Sequence, residues 1–361
     1  MPDARLLPLP TFFERDTMPR LGEVWPTPKE QRAQDAVDWA KTNNVEHHLN
    51  DKVKIGVLWV DFQITFCIPG YELVVPGALG DVERTCRWSY ANLDHISRFF
   101  ITLDSHYPMQ IFHPIYWVDR NGNFPGPFTV IKNEDIKNRI WMPNPDIAHY
   151  VFPTDDGKGN YAMMVKHSLF YTKELEDTGK YLHTVWTYHG GIGEPSHALI
   201  PALYELAFFH TVARKSQFDF SIKGTWPNTE HFSPLGPEVT ETFGGYKVGE
   251  DDDTFINQLL AVDYLIIKGE AKTHCVKCCI DHLLERIMGL DPSLAQKVLI
   301  VRDGTSPVPD IPPNPSVGFE GVPFDAISEV SYKKFADAGM KFVKMFDGDR
   351  IVPIEEWGIR L

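Results

Sequence analysis

The chain has 361 residues, 43% hydrophobic and 23% charged, with a formal net charge of -14 at pH 7. That length and apolar content suffice for a sizeable core in one large domain or two. The acidic balance excludes nucleic acid and anionic membrane as main partners, since both need a basic surface, and no apolar run reaches the roughly 20 residues that span a bilayer.

The N-terminus is broken by prolines and by Glu14, Arg15 and Asp16, so it lacks the continuous apolar stretch of a secretory signal. Five cysteines, an odd number in so long a chain, read as free thiols of a reducing compartment. Both observations point to the cytoplasm. Residues 1 to about 26, punctuated by Pro2, Pro8, Pro10, Pro19 and Pro26, read as an extended arm, and residues 28 to 42 as a short polar helix. Together they form an expected N-terminal extension over residues 1–50, ahead of one domain over residues 51–361.

That domain opens with Val53 to Asp61, apolar almost throughout, as expected of a strand buried on both faces of a parallel sheet. A helix over about 81–97 leads to a second apolar strand, Phe99 to Leu103, which ends in Asp104-Ser105-His106. The interval from Tyr107 to Val185 is rich in aromatics and prolines and far longer than a crossover needs, so it reads as an insertion that caps a site or forms a subunit interface. A helix over 195–215 precedes a third strand, Phe218 to Ile222, followed by Lys223-Gly224. A helix at 254–261, a fourth strand at 263–267, a helix from Cys275 to Met288 and a fifth strand at 297–301 come next. A Pro-rich loop from Ser306 to Pro323, a helix at 325–338 and a last strand at 341–345 complete the alternation. This predicts a three-layer α/β/α sandwich with a mainly parallel, six-stranded, Rossmann-like sheet. In such sheets ligands bind at the carboxyl ends of the strands. Asp61, Asp104 with His106, Lys223 and Cys275 all fall at those ends.

Cys275 follows the fourth strand and opens a helix. A helix N-terminus favours thiolate over thiol and offers N–H donors to an oxyanion. Asp104, His106 and His189 supply one carboxylate and two imidazoles, a donor set suited to zinc or a similar divalent ion, with His113 a competing third ligand. Hydrogen bonding of these groups to substrate or to each other is the alternative.

Several segments carry a family resemblance. Val60-Asp61-Phe62-Gln63-Ile64-Thr65-Phe66 with Pro69-Gly70 and Val75-Pro76-Gly77-Ala78 resembles the opening motif of the isochorismatase-like cysteine hydrolases, the superfamily of nicotinamidase and N-carbamoylsarcosine amidase. Gly269-Glu270-Ala271-Lys272-Thr273-His274-Cys275-Val276 is similar to that family's nucleophile segment, Ile222-Lys223-Gly224 to its lysine segment, and Asp104-Ser105-His106 to its D-x-H. Trp186-Thr187-Tyr188-His189 resembles the W-P-x-H that carries a metal ligand in nicotinamidases, with Thr187 in place of the proline. The ordered set covers most of residues 53 to 345.

The resemblance implies an Asp61, Lys223 and Cys275 triad and a cis peptide between Glu270 and Ala271, with the N–H groups of Ala271 and Cys275 as oxyanion hole. It also implies Gln63, Phe66 and Glu270 as substrate contacts and Asp104, His106 and His189 as metal ligands. The implied activity is hydrolysis of a small amide, nicotinamide-like, carbamoyl or ureido, by a homo-oligomer needing no organic cofactor. Two other readings stand beside it. Cys275, Cys278 and Cys279 form C-x-x-C-C, which can serve redox or binding chemistry, and the isochorismatase branch cleaves a vinyl ether without a nucleophilic cysteine.

Overall fold

The computed structural model describes residues 5–178, 182–313 and 321–361; residues 1–4 of the expected arm, 179–181 of the insertion and 314–320 of the Pro-rich loop lie outside them. Six strands form one parallel sheet: β1 (Ile55–Val60), β2 (Arg98–Asp104), β3 (Asp219–Lys223), β4 (Tyr264–Gly269), β5 (Val298–Val301) and β6 (Lys341–Val343). Their order is β3-β2-β1-β4-β5-β6, so the chain winds outward from β1 in both directions. β1 pairs in parallel with β2 and with β4, and β4, β5 and β6 follow in parallel register. All six residues of β1 are buried, as are the four of β5, and this two-sided burial is why these strands read as unbroken apolar runs rather than alternating ones. The α/β expectation is met.

The helices are α1 (Lys29–Asn43), α2 (Ala78–Ala91), α3 (Pro201–Arg214), α4 (Asp253–Leu260), α5 (Lys277–Leu290) and α6 (Phe324–Asp337), with a further helix over Tyr161–Thr178. Boundaries differ from the sequence reading where local chemistry intervenes. α2 starts earlier, after Gly77 with φ +98°, and ends at Ala91 rather than 97. α3 starts at Pro201, a residue suited to the first helical turn, whereas residues 195–197 form a separate 3-10 turn. The helix carrying Cys275 begins three residues before it, as a wide turn over Lys272–Val276 that runs on into α5. None of the described helices is long and apolar enough to cross a membrane.

The chain divides into two compact units, one of Met1–Leu103, Ala198–Ser221 and Asp253–Leu361, the other of Asp104–His197 and Ile222–Asp252. In the first unit Trp59 of β1 packs on Phe99 of β2 with ring centroids 4.2 Å apart. The N-terminal segment belongs to this core. Leu7, Phe12 and Phe13 are buried, Phe12 and Phe13 lie 5.5 Å and 5.3 Å from Phe209 and Tyr90, and the Leu7 N–H donates to Ala91 O at 2.8 Å. Each buried phenylalanine contributes about 1.5–3 kcal/mol. The fully buried Glu205 is answered by Arg32 Nε at 3.1 Å and by the Thr17 hydroxyl, so one buried charge ties α1 and the N-terminal segment to α3. The apolar residues between the prolines follow no period, which is why they read as a bare arm.

The second unit carries the helix Tyr161–Thr178, short helices at Asn133–Lys137 and Ala148–Val151, and a two-stranded ribbon of Trp117–Val118 with Met142–Pro143. Tyr116, Trp117 and Tyr171 are fully buried in it, so the long interval has a core of its own.

Candidate functional site

In the first unit, Asp61 is the residue just past β1. It is fully buried and has φ +47°, a left-handed conformation that is uncommon for a residue with a side chain and that concentrates at functional sites. Thr102 of β2 holds it twice: the Asp61 N–H donates to Thr102 Oγ1 at 3.1 Å, and the Thr102 hydroxyl donates to Asp61 Oδ1 at 2.6 Å. The sequence reading missed Thr102. Its signal was a lone hydroxyl in the apolar run Phe99 to Leu103, where a buried polar group needs a partner.

Past β4, the Glu270 N–H donates to Val60 O at 2.8 Å and the Gly269 N–H to Gly304 O at 3.0 Å, which pins the segment leading to Cys275 against the end of β1 and the loop after β5. Gly269 is obligatory there: with φ +140°, a Cβ would come 2.1 Å from Val60 O. The Glu270–Ala271 peptide is cis, as the resemblance implied. Ala271 caps the turn that carries Cys275, and both are buried. Cys278 and Cys279 are buried in α5 and form no disulfide with another described residue. Gln63 is buried at the start of a short helix over Ile64–Cys67, with Phe66 in the hydrophobic core. The Glu270 side chain is fully buried and accepts from the Ser306 N–H at 3.2 Å.

The second unit gathers the other predicted residues. Donor atoms of Asp104, His106 and His189 lie within 4.8 Å of one another, all three buried. His106 Nε2 is 3.0 Å from Asp104 Oδ1, and His189 Nε2 is 3.3 Å from Asp104 Oδ2. Lys223 Nζ donates to Asp104 Oδ1 and to His231 O, each at 2.8 Å. Gly224, with φ +90°, lets the chain turn beside this group, since a Cβ there would sit 2.6 Å from His106 Cε1.

The donor set fits a divalent cation. The Nδ1 atoms of His106 and His189 face the carbonyls of Gly224 at 3.2 Å and Thr187 at 2.7 Å, so Nδ1 carries the proton and Nε2 turns toward the carboxylate. Acceptor nitrogens facing a carboxylate require a cation or protons between them, and burial lowers the His106 affinity for a proton, partly offset by Asp104. Burial alone would raise the Asp104 carboxyl, but His106 and Lys223 beside it hold it well below the usual carboxylate range. His113 lies outside the group, its ring 5.6 Å from that of His106 and 6.1 Å from that of His189. Its Nδ1 donates toward Tyr107 O and Pro108 O, and burial, then the two neighbouring imidazoles, push it down to about 2.

Glu230 is a second residue that sequence reasoning missed. It is buried and accepts from Trp186 Nε1 at 2.8 Å, and burial followed by the Asp104 charge holds its carboxyl well above the ordinary range. A neutral acid thus stands near Asp104. Its only signal was an acid in the otherwise unpatterned stretch after Lys223-Gly224.

No family model matches the chain, and no curated protein matches it. Among solved structures it is similar to the yeast nicotinamidase, at 14% identity over 80% of this chain and 99% of that one, with a TM-score of 0.47. It is also similar to the Acinetobacter baumanii nicotinamidase/pyrazinamidase, at 13% identity, 82% and 98% coverage and a TM-score of 0.47. A third is the pyrazinamidase of Pyrococcus horikoshii in complex with zinc, at 14% identity, 81% and 99% coverage and a TM-score of 0.40.

Proposed function

We propose that the protein is a cysteine-dependent amidohydrolase of a small amide, with Cys275 as nucleophile, Asp61 as proton acceptor and Lys223 as the cation of the triad. The observation that carries the reading is the succession of chemical groups at the carboxyl ends of neighbouring parallel strands: Lys223 on β3, Asp104 on β2, Asp61 past β1, and the Glu270 to Cys275 segment past β4.

A thiol is only marginally nucleophilic at its ordinary pKa of about 8.5. Asp61 takes the Cys275 proton as sulfur attacks the amide carbonyl carbon. The oxyanion accepts from the N–H groups of Ala271 and Cys275. Collapse breaks the C–N bond, and the proton held by Asp61 leaves with ammonia or the amine. Asp61 then draws a proton from water, whose oxygen attacks the thioester and expels the Cys275 sulfur, which regains the proton and releases a carboxylic acid. Lys223 offsets negative charge through this cycle, and the Thr102 hydroxyl keeps the Asp61 carboxylate aimed. Gln63, Phe66 and Glu270 are the proposed substrate-side residues, and self-association into a homo-oligomer is part of the same reading. Asp104, His106 and His189 would hold one divalent ion, zinc by donor type, which when bound supplies a Lewis-acidic point for a substrate heteroatom.

The test is ammonia release from a panel of small primary amides and ureas. Cys275→Ala should abolish turnover by on the order of 10³-fold or more without unfolding the protein, and intact-mass spectrometry with a slow substrate should show an acyl adduct on Cys275. Wild-type turnover in Cys275→Ala, or an adduct on Cys278 or Cys279, would sink the mechanism.

A further inference from the structure

Next to the nucleophile segment lies a pair of buried acids, Asp81 and the substrate-side Glu270, neither of which transfers a proton in the reaction steps. Asp81, in the first turn of α2, is buried, and its Oδ2 accepts from the Ser306 hydroxyl at 2.5 Å while Oδ1 is paired with Arg84. The same Ser306 donates its backbone N–H to Glu270 Oε2 at 3.2 Å and accepts from the Lys272 N–H at 2.8 Å. One serine therefore joins both acids and the turn that leads to Cys275. The fit is tight on its far side, where a Cβ on Gly77 would come 2.6 Å from Ser306 Oγ.

We propose that Asp81 and Glu270 are positioning residues that together hold one negative charge and one proton, with the proton on Glu270, so that a carboxyl group clamps the nucleophile turn without setting an anion at the start of the turn that carries Cys275. The inference rests on the amidohydrolase reading. The asymmetry comes from the partners. Asp81 has a guanidinium and a hydroxyl to answer a charge, whereas Glu270 has only the Ser306 N–H and, beside it, the Asp81 carboxylate, to which its protonated form donates. Burial, then the Asp81 charge, hold the Glu270 carboxyl well above the ordinary range. Burial raises Asp81 as well, opposed by Ser306 and Arg84. The other titratable groups facing the pair are Cys67 on the short helix Ile64–Cys67 and Tyr332 on α6, both raised by burial and so neutral. An ionised Glu270 would disfavour both the thiolate and the oxyanion through like-charge repulsion.

The experiment measures, in the full chain, the pH dependence of iodoacetamide alkylation of Cys275, located by peptide mapping, together with kcat and KM on an accepted amide. Asp81→Asn removes the competing charge and lets Glu270 ionise. The alkylation profile should move up by about one pH unit and kcat fall roughly tenfold, with KM within about twofold. Adding Glu270→Gln to Asp81→Asn should return the profile to the wild-type position, a rescue that two purely structural lesions would not produce. Arg84→Met, at a half-exposed side chain, shifts the charge toward Glu270 and should move the profile the same way by less. A Cys275 profile that neither Asp81→Asn nor Arg84→Met moves, or a double variant no closer to wild type than Asp81→Asn, overturns the inference alone. Fast labelling that maps to a cysteine other than Cys275 overturns the amidohydrolase reading and the inference with it.

Discussion

Replacing Lys223 with methionine keeps the length of the side chain and deletes its charge. In the wild-type protein the ammonium group is almost entirely buried and touches Asp104 Oδ1 at 2.8 Å, so the variant leaves a buried carboxylate facing two imidazoles. Removing one partner of a buried ion pair costs about 3–5 kcal/mol. Urea unfolding of chelator-treated protein near neutral pH should show a loss of that size as a lower midpoint at unchanged slope. Acid changes the comparison in a defined direction. The Asp104 carboxyl is held well below its ordinary value, so its contribution is complete above about pH 3.9 and fades only as pH falls toward the folded value. Without Lys223 the carboxyl takes up a proton sooner, and the deficit should shrink as pH is lowered toward 4. A divalent ion at about 100 times its dissociation constant adds about 2.7 kcal/mol to a protein that binds it only when folded, and it also answers the charge that Lys223 no longer meets. The deficit should therefore be smaller with zinc than with chelator. Equal midpoints for variant and wild type in chelator would refute the electrostatic account, and a deficit that zinc leaves unchanged would refute the metal assignment.

Two further outcomes can be checked directly. Purified protein should carry about one divalent ion per chain, and His106→Ala should lower that content and weaken substrate binding more than it slows Cys275 alkylation; elemental analysis finding no metal in active enzyme would remove the ion and leave the triad. Lys268 is fully buried in β4 against the Trp88 ring, 4.5 Å from its centroid, and burial, partly offset by Asp303, lowers its amine to about 7. Below that value the folded state confines a charge that the unfolded chain solvates, so Lys268→Met should stabilise the protein by on the order of 1–4 kcal/mol there. The gain should fade between about pH 7 and 10.5, where the folded amine is already neutral; urea midpoints across that range that run parallel for the two proteins would contradict it.

The sheet was legible because burial on both faces writes strands such as Ile55–Val60 and Val298–Val301 as continuous apolar runs, and because an acid, a lysine or a cysteine after such a run stands out. The donor group of Asp104, His106 and His189 was legible from ligand chemistry and motif, with His113 a competing third ligand until the ring separations were known. The second unit was not. Its helix Tyr161–Thr178 buries His167, Ser168 and Thr172 alongside Met164, Tyr171 and Leu175, so its inward face is too polar to show a period. Thr102, Ser306, Asp81 and Glu230 escaped for another reason. Each matters through a partner distant in sequence, as with the 225 positions between Ser306 and Asp81, and such pairing leaves no mark on local pattern.

The chain passes between its two units four times: after Leu103, before Ala198, after Ser221 and before Asp253. Both excursions start where β2 and β3, neighbours at one side of the sheet, come to an end. The proposed nucleophile and base belong to the first unit, whereas Asp104 and Lys223 are the last residues of β2 and β3, where the two excursions leave the sheet, and His106 and His189 lie within the first excursion. Lengthening within residues 105–197 and 225–252 can thus proceed while the strand ends that carry Asp61, Asp104 and Lys223 keep their places. A chimera built to transfer specificity must carry both excursions, because Asp104 and Lys223 arrive on different ones.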